Sequence, residues 1–347
     1  MTRPVRRLRV GTRESALAMI QTKFVVDKLR ALYPENEFVI VGMTTKGDQI
    51  LDTSLSKIGG KSLFTSELEA ALSEEKVDFL VHSLKDVPTT LPKGLCIGAI
   101  IEREDPSDAV VFPEGSTLTS LDQLEQGAKV GTSSLRRVAQ LRRCYKHLEF
   151  VSIRGNLNTR LQKLDKREKY DALVLAASGL YRLNMSDRIS HILPPDLCLH
   201  AVGQGALAVE CRSDDAVIQD LIRPLNHRAT ALRCLAERCF MNRLEGGCSV
   251  PLGVSSAMND SGVLTLKGGV FAFDGGDAII EEHEVTLIPA AQRGQGEPHM
   301  GILCFDLAAA DVDEALRLGS KLATTLIKHG AKELLDKARE DAKLSSF

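Results

Sequence analysis

The feature that most constrains this chain is a strand–turn–helix junction that recurs through its first two thirds. Short apolar runs end in small or polar residues, and an amphipathic stretch follows. Strands are expected at Arg7–Gly11, Phe38–Met43, Val77–His82, Lys129–Thr132, Phe150–Ile153 and Ala172–Ala176. Helices are expected at Ser15–Leu32, Ser62–Glu75, Ser133–Tyr145 and Leu157–Lys166. In the first of these, Leu17, Ile20, Phe24 and Leu29 follow a helical apolar stripe. Such alternation implies an α/β fold with a parallel sheet covered by helices. Ligands of such sheets sit beyond the carboxyl ends of the strands.

Two segments interrupt the rhythm. Cys96–Phe112 reads as two short extended runs joined by charged residues, a crossover between two α/β halves. Ala201–Glu210 reads as the matching return. After about residue 226 the pattern changes to a long helix, His227–Leu244, then extended runs (VLTLKGGVFAF, AIIEEHEVTLI) and a helical tail, Asp313–Glu340. That reads as a separate α+β unit, as expected for 347 residues, too many for one ordinary core. The segment 288–300, rich in Gly, Pro and Gln, reads as a flexible insertion.

Lys+Arg is 44 against 46 Asp+Glu, so no overall charge points to nucleic acid or membrane. No run approaches the ~18 apolar residues of a membrane span. The basic N-terminus lacks the apolar stretch of a secretory signal, and Leu8–Thr12 already reads as a strand. The eight cysteines form no C-x-x-C pair, which suggests reduced thiols in a cytoplasmic compartment and no metal site.

Charge matters locally. From Lys129 to Arg160 there are eight basic side chains (Lys129, Arg136, Arg137, Arg142, Arg143, Lys146, Arg154, Arg160) against one acid, Glu149. Within it, Thr132-Ser133-Ser134 opens a helix, whose free N–H groups and dipole favour anions. Arg136 and Arg137 add forked donors suited to carboxylate or phosphate; an ordinary serine cap with a solvated arginine face is the competing reading. Ile153–Arg160 (IRGNLNTR) repeats the strand-to-helix geometry with arginines on both sides, so two turns would aim arginines at one cleft. Aromatics are only 4% and Trp is absent, so base-stacking platforms are scarce. A small polyanion therefore fits better than nucleic acid.

Ser83, Lys85 and Asp86 would lie at a strand's carboxyl end over the same cleft, where an acid can stabilise a developing cation or move a proton. They also suit an ordinary surface turn, and His82 reads as a packed residue. Thr44–Lys61 reads equally as a lid or a plain loop. In Leu244–Pro251, LEGGCSVP, two glycines and a proline put Cys248 on a loop, open to chemistry.

Together the motifs VGTRESALA, HSLKDVPT, VGTSSLRR, SIRGNLNTRLQKL, AVGQGAL and LEGGCSVP resemble the porphobilinogen deaminase family. They span residues 10–251 in the family's order. The resemblance implies two lobes like those of type II periplasmic binding proteins, residues 1–103 with 203–226 and residues 104–202. A C-terminal α+β domain, 227–347, would carry the cofactor loop. It implies a transferase that condenses four porphobilinogens head to tail, releasing ammonia, on a dipyrromethane primer held by a thioether to Cys248. Asp86 matches the catalytic aspartate. Ser83, Lys85, Asp86, Thr132, Ser133, Ser134, Arg136, Arg137, Arg160 and Gly205 match positions that hold the cofactor. Arg13, Ser15, Gln21, Arg154, Arg182 and Gln204 match substrate positions. Glu14 departs from the family pattern and would temper the positive potential near Arg13. The resemblance further implies a cytoplasmic monomer acting on a small molecule.

Overall fold

The first sheet starts at β1 (Arg7–Arg13), where Leu8 and Val10 turn inward. β1 pairs in parallel with β2 (Glu37–Met43) and β3 (Phe79–Ser83). The helix Ala16–Leu32 crosses between β1 and β2, capped by Ser15, which accepts from the Ala18 N–H. Val25, Val26 and Leu29 are fully buried on it, packed with Val10, Phe79 and Val81. Each contributes about 1.5–3 kcal/mol by leaving water. The computed structural model describes residues 6–49, 63–167, 169–245, 250–287, 298–304 and 306–344.

After β4 (Leu95–Ile100) the chain crosses to a second sheet through β5 (Asp108–Val111). There β6 (Lys129–Gly131), β7 (Glu149–Val151) and β8 (Ala172–Ala176) run parallel. β5 runs against β8 and pairs with β9 (His191–Leu193). β10 (Leu207–Arg212) then returns between β3 and β4, antiparallel to both. The strand orders are β2-β1-β3-β10-β4 and β7-β6-β8-β5-β9. These are the same order: three parallel strands, one crossing strand running against them, and a final strand. The two lobes are thus built alike, and each lends the other its crossing strand.

The rest of the chain forms an antiparallel meander, β11 (Leu252–Met258), β12 (Val263–Phe271) and β13 (Ala278–Thr286). Helices Arg228–Arg243 and Ala309–Lys328 pack on it through Leu232, Leu235, Phe240, Leu318 and Leu322. This core is continuous with Leu84, Ile97 and Ile100 of the first lobe. A short hairpin, β14 (Pro298–His299) and β15 (Ile302–Leu303), adds β15 to the edge at β4.

Three sequence expectations are corrected. Ile20 and Phe24 are 39% and 48% exposed. The buried face of their helix instead includes Gln21 and Thr22, whose polar atoms find partners at Ser83 and the Ala18 carbonyl. The helical tail is two helices, Ala309–Lys328 and Ala331–Leu344. Gly330 separates them at φ +93°, a conformation that breaks a helix and suits glycine. The insertion ends in β14; its residues 288–297 lie outside the described residues, as do 50–61 of the lid-or-loop segment, which opens with a turn of helix at Lys46–Gln49.

Candidate active site

One wall of the cleft is made by the carboxyl ends of β1 and β3. Arg13 ends β1, stacks over the Phe64 ring at 4.3 Å, and pairs with Asp48, to which its Nε donates at 3.1 Å. Its Nη1 lies 3.9 Å from Asp86 Oδ2. Burial works against the Arg13 charge, but Asp48 and Asp86 more than offset it and hold its pKa above the ordinary value. β3 ends at Ser83, whose hydroxyl donates to buried Gln21 Oε1 at 3.1 Å. A single 3₁₀ turn, Leu84–Asp86, then buries Leu84 and turns Lys85 and Asp86 to the cleft. Burial pulls the Lys85 ammonium down to about 8; Arg137 and Arg136 add to this, while Asp86 and Asp108 oppose it. His82 packs inside, 3.0 Å from buried Glu210. Glu14 is exposed and accepts the Thr44 hydroxyl at 2.6 Å.

The opposite wall comes from the ends of β6 and β7. Ser134 caps the helix Leu135–Cys144 by accepting from the Arg137 N–H, and the buried Thr132 hydroxyl accepts from the Ser134 N–H at 3.3 Å. Ser133 Oγ bonds Ser152 Oγ at 3.0 Å and accepts from the Ile153 N–H at 3.0 Å, so it ties the two turns together. Arg154 sits on the second turn and burial lowers its pKa. Arg160, on the helix Leu157–Asp165, donates to the Gly155 carbonyl at 2.8 Å. Burial brings Arg160 down to about 10, and the like charges of Arg137 and Arg154 contribute, with Asp86 opposing. Three guanidinium groups of the second lobe therefore crowd together within electrostatic reach of the first-lobe Asp86.

The two crossovers form the floor. Gln204 is fully buried; its Nε2 donates to Pro106 O at 2.6 Å and to Asp108 Oδ1 at 2.8 Å, and its Oε1 accepts from Lys85 at 3.2 Å. Gly205 has φ +86°, and a Cβ there would lie 2.2 Å from the Glu104 carbonyl oxygen. Arg182 donates to the Gly205 carbonyl at 2.6 Å; burial lowers it to about 10 against Glu104.

Asp108 is a buried acid beside the site that sequence reasoning missed. Arg136 Nη1 donates to its Oδ2 at 2.6 Å and Arg137 Nη2 to its Oδ1 at 2.7 Å. Burial would raise this carboxyl, but the two arginines overcome it and hold it far below the usual range. The available signal was an acid opening an otherwise apolar strand, DAVVF, which cannot be buried there without a cationic partner. The basic run also splits. Arg142 and Arg143 lie at the far end of their helix, where they donate to the Phe273 and Gly276 carbonyls of the β12–β13 turn instead of facing the cleft. Half a helix separates them from Arg136 and Arg137, so one-dimensional clustering overstated the charge at the site.

The donor set fits a tethered polycarboxylate. Arg137 Nε is buried with no hydrogen-bond partner among the described residues, and the crowding of Arg137, Arg154 and Arg160 calls for anionic groups between them. Lys85, Arg137 and Arg160 would bind acidic side chains of the group, and the turn around Ser83 would complete the wall. Cys248 lies outside the described residues.

The family model described as "Porphobilinogen deaminase, dipyromethane cofactor binding domain" matches residues 8–220, and "Porphobilinogen deaminase, C-terminal domain" matches residues 231–328. The porphobilinogen deaminase of Synechococcus elongatus is 49% identical over 96% of this chain and 96% of its own. That of Gloeobacter violaceus is 57% identical over 77% of this chain and 81% of its own. That of a Nostoc species is 46% identical over 95% and 94%. Among solved structures, the methionine binding protein MetQ matches 66% of this chain and 93% of its own at 11% identity, with a TM-score of 0.41.

Proposed function

This chain belongs to the porphobilinogen deaminase family, and we propose that it condenses four porphobilinogens head to tail into linear hydroxymethylbilane, releasing ammonia at each addition. The observation that carries this reading is the opposition of one carboxylate to a set of cations. Asp86, beside Arg13 at 3.9 Å, stands within electrostatic reach of Arg160, itself crowded by Arg137 and Arg154. Such a cleft accepts a polycarboxylate and yet keeps one negative charge for a cation that forms within it.

The dipyrromethane, when bound to Cys248, supplies the tether and the acceptor carbon. The protein's residues do the rest. In each round the aminomethyl C–N bond of porphobilinogen breaks, and ammonia departs with the electron pair and a proton. The methylene carbon is left as a cation shared with the pyrrole nitrogen. Asp86 accepts the pyrrole N–H and stabilises this cation. The primer, when bound, would supply the carbon that takes up this methylene, and the proton released there would return to the cleft. Arg13, Arg154 and Arg182 hold substrate acetate and propionate groups by charge-assisted bonds, with Ser15 beside them and buried Gln21 and Gln204 bracing Ser83 and Lys85 from behind. Lys85, Arg136, Arg137 and Arg160 hold the primer, with Thr132, Ser133, Ser134 and the backbone at Gly205. Hydrolysis releases the product.

We assign residues 1–103 with 203–226 to the first lobe, 104–202 to the second, and 227–347 to the domain that presents Cys248. The protein is proposed to act as a cytoplasmic monomer; among the described residues no helix is long and apolar enough to cross a membrane. The test is intact-protein mass spectrometry before and after adding porphobilinogen, with ammonia measured in parallel. A dipyrromethane increment on the resting protein and stepwise pyrrole additions are expected. An unmodified mass together with no ammonia release would remove the reading.

A further inference from the structure

Asp108 opens the outgoing crossover strand and is fully buried, yet it has no place in the chemistry above. Its two oxygens serve four neighbours, three from the second lobe and one, Gln204, from the returning crossover. Arg136 reaches both oxygens (2.6 and 3.3 Å), Arg137 reaches Oδ1 at 2.7 Å, Gln204 Nε2 donates to Oδ1 at 2.8 Å, and the Cys198 thiol donates to Oδ2 at 3.4 Å. The other end of the Gln204 amide accepts from Lys85 at 3.2 Å. A chain of direct bonds thus runs from the arginine pair of the second lobe, through Asp108 and Gln204, to the lysine of the first.

We propose that Asp108 is the positioning residue of this cleft, fixing the two arginines of the second lobe and, through Gln204, the first-lobe Lys85 in one constellation. Three observations support the assignment beyond simple charge neutralisation. The Gln204 amide has one orientation in this network, because its Nε2 must donate to Asp108 and the Pro106 carbonyl (2.6 Å) for its Oε1 to face Lys85. The residues joined are those at the hinge, where the crossovers bond each other from Glu104 N–H to the Gly205 carbonyl at 3.2 Å. The same hinge is pinned to the third domain. Arg103 donates to the Gln204 carbonyl at 2.7 Å and to Glu237 at 2.6 and 3.1 Å. A rotation of the lobes about these crossovers would therefore leave Lys85 and the arginine pair in register while the outer groups, Arg13 and Arg154, change separation.

The inference rests on the proposed reaction, and the test separates the two. The charged groups around Lys85 are Asp86, Asp108, Arg136 and Arg137. Changing Gln204 alters the acceptor offered to Lys85 and removes one donor from Asp108, while the arginine pair still holds Asp108 ionised and all four charges stay. Gln204→Met removes that acceptor, so the Lys85 proton should be lost at lower pH. Gln204→Glu supplies a carboxylate, so it should be lost at higher pH. With intact holoenzyme, the basic limb of the kcat/KM profile for porphobilinogen should move down by about one pH unit in the first variant and up in the second, while both keep the primer mass. Asp108→Asn should raise KM more than tenfold, and Asp108→Glu should recover part of that loss. Basic limbs that coincide with wild type in both Gln204 variants would overturn the proposal. So would an Asp108→Asn enzyme that folds and retains the wild-type KM. Absence of turnover in the wild type would instead sink the proposed reaction.

Discussion

Arg13 Nη1 and Asp86 Oδ2 stand 3.9 Å apart, a separation that leaves the carboxylate oriented but not consumed by the guanidinium. The tighter partner of Arg13 is Asp48, reached by two donors. Asp86 therefore keeps acceptor capacity toward the cleft. Asp86→Asn preserves shape and removes the charge that faces a developing cation. Porphobilinogen turnover should fall by a factor on the order of 10²–10³, the usual loss for one electrostatic contact of this kind. Mass spectrometry should still find the primer. Turnover within threefold of wild type would remove Asp86 from the chemistry.

Cys248 follows two glycines and precedes Pro251, and its proposed role is as an anchor rather than a turnover nucleophile. Cys248→Ala should lack the dipyrromethane mass and all turnover. Cys144 is the exposed thiol among the free cysteines described, and Cys144→Ala should change neither. The pair of masses checks that attachment is specific. An active Cys248→Ala enzyme would refute the assignment.

The buried acid–base pair behind the crossovers sets an acid limit on stability. Burial pulls the His200 imidazole down to about 4, Arg103 contributing and Glu237 opposing. Burial would raise the Glu237 carboxyl, but Arg103 and His200 overcome it and hold it at about 2. Both folded-state values lie below those of the unfolded chain, about 6.5 and 4.3. Each contribution is thus complete above the unfolded value and lost as pH falls toward the folded one. The unfolding temperature should drop from about pH 6.5 to 4, where His200 is protonated in the unfolded chain but not in the folded one, and again from about 4.3 toward 2. Calorimetry across this range checks it: His200→Asn should flatten the first segment and narrow the second only in part, because Arg103, the larger cause, still holds Glu237 down. Glu237→Gln leaves Arg103 as a buried unpaired cation and should cost about 3–5 kcal/mol in a denaturant titration at pH 7.

Much of this architecture was legible in the sequence because its cause is local. The strand at Ala172–Ala176 and the helix starts expected at Ser15 and Ser133 follow from apolar runs and serine chemistry read a few residues at a time, and the caps prove to be Ser15 and Ser134. The arginine set was legible as charge, but its distribution was not, because Arg142 and Arg136 differ in direction along one helix. Asp108 escaped because its partners lie 28, 29 and 96 positions away. A buried carboxylate is explained only by the fold that brings its cations to it. The inward Gln21 and Thr22 escaped for the same reason: their partners make a polar face buriable where periodicity alone expects Ile20 and Phe24.

Gly205 gives the most local prediction. Its φ of +86° is open to glycine and costly for other residues, and an added Cβ would lie 2.2 Å from the Glu104 carbonyl oxygen. That contact is backbone, so no side chain can swing aside. Glu104 and Gly205 belong to the two crossovers, joined by the bond from the Glu104 N–H at 3.2 Å. Gly205→Ala must push the crossovers apart, which disturbs neighbouring Gln204 and the Gly205 carbonyl that receives Arg182 at 2.6 Å. Stability should fall by about 1–3 kcal/mol from the backbone conformation alone, with a larger loss in kcat/KM than unfolding accounts for at 25 °C. Gly115, at φ +77° with nothing within 4 Å of an added Cβ, is the control. Gly115→Ala should show a stability loss of that size with kcat/KM unchanged. Equal kinetic effects in the two variants would mean that the close approach of the crossovers has no part in shaping the cleft.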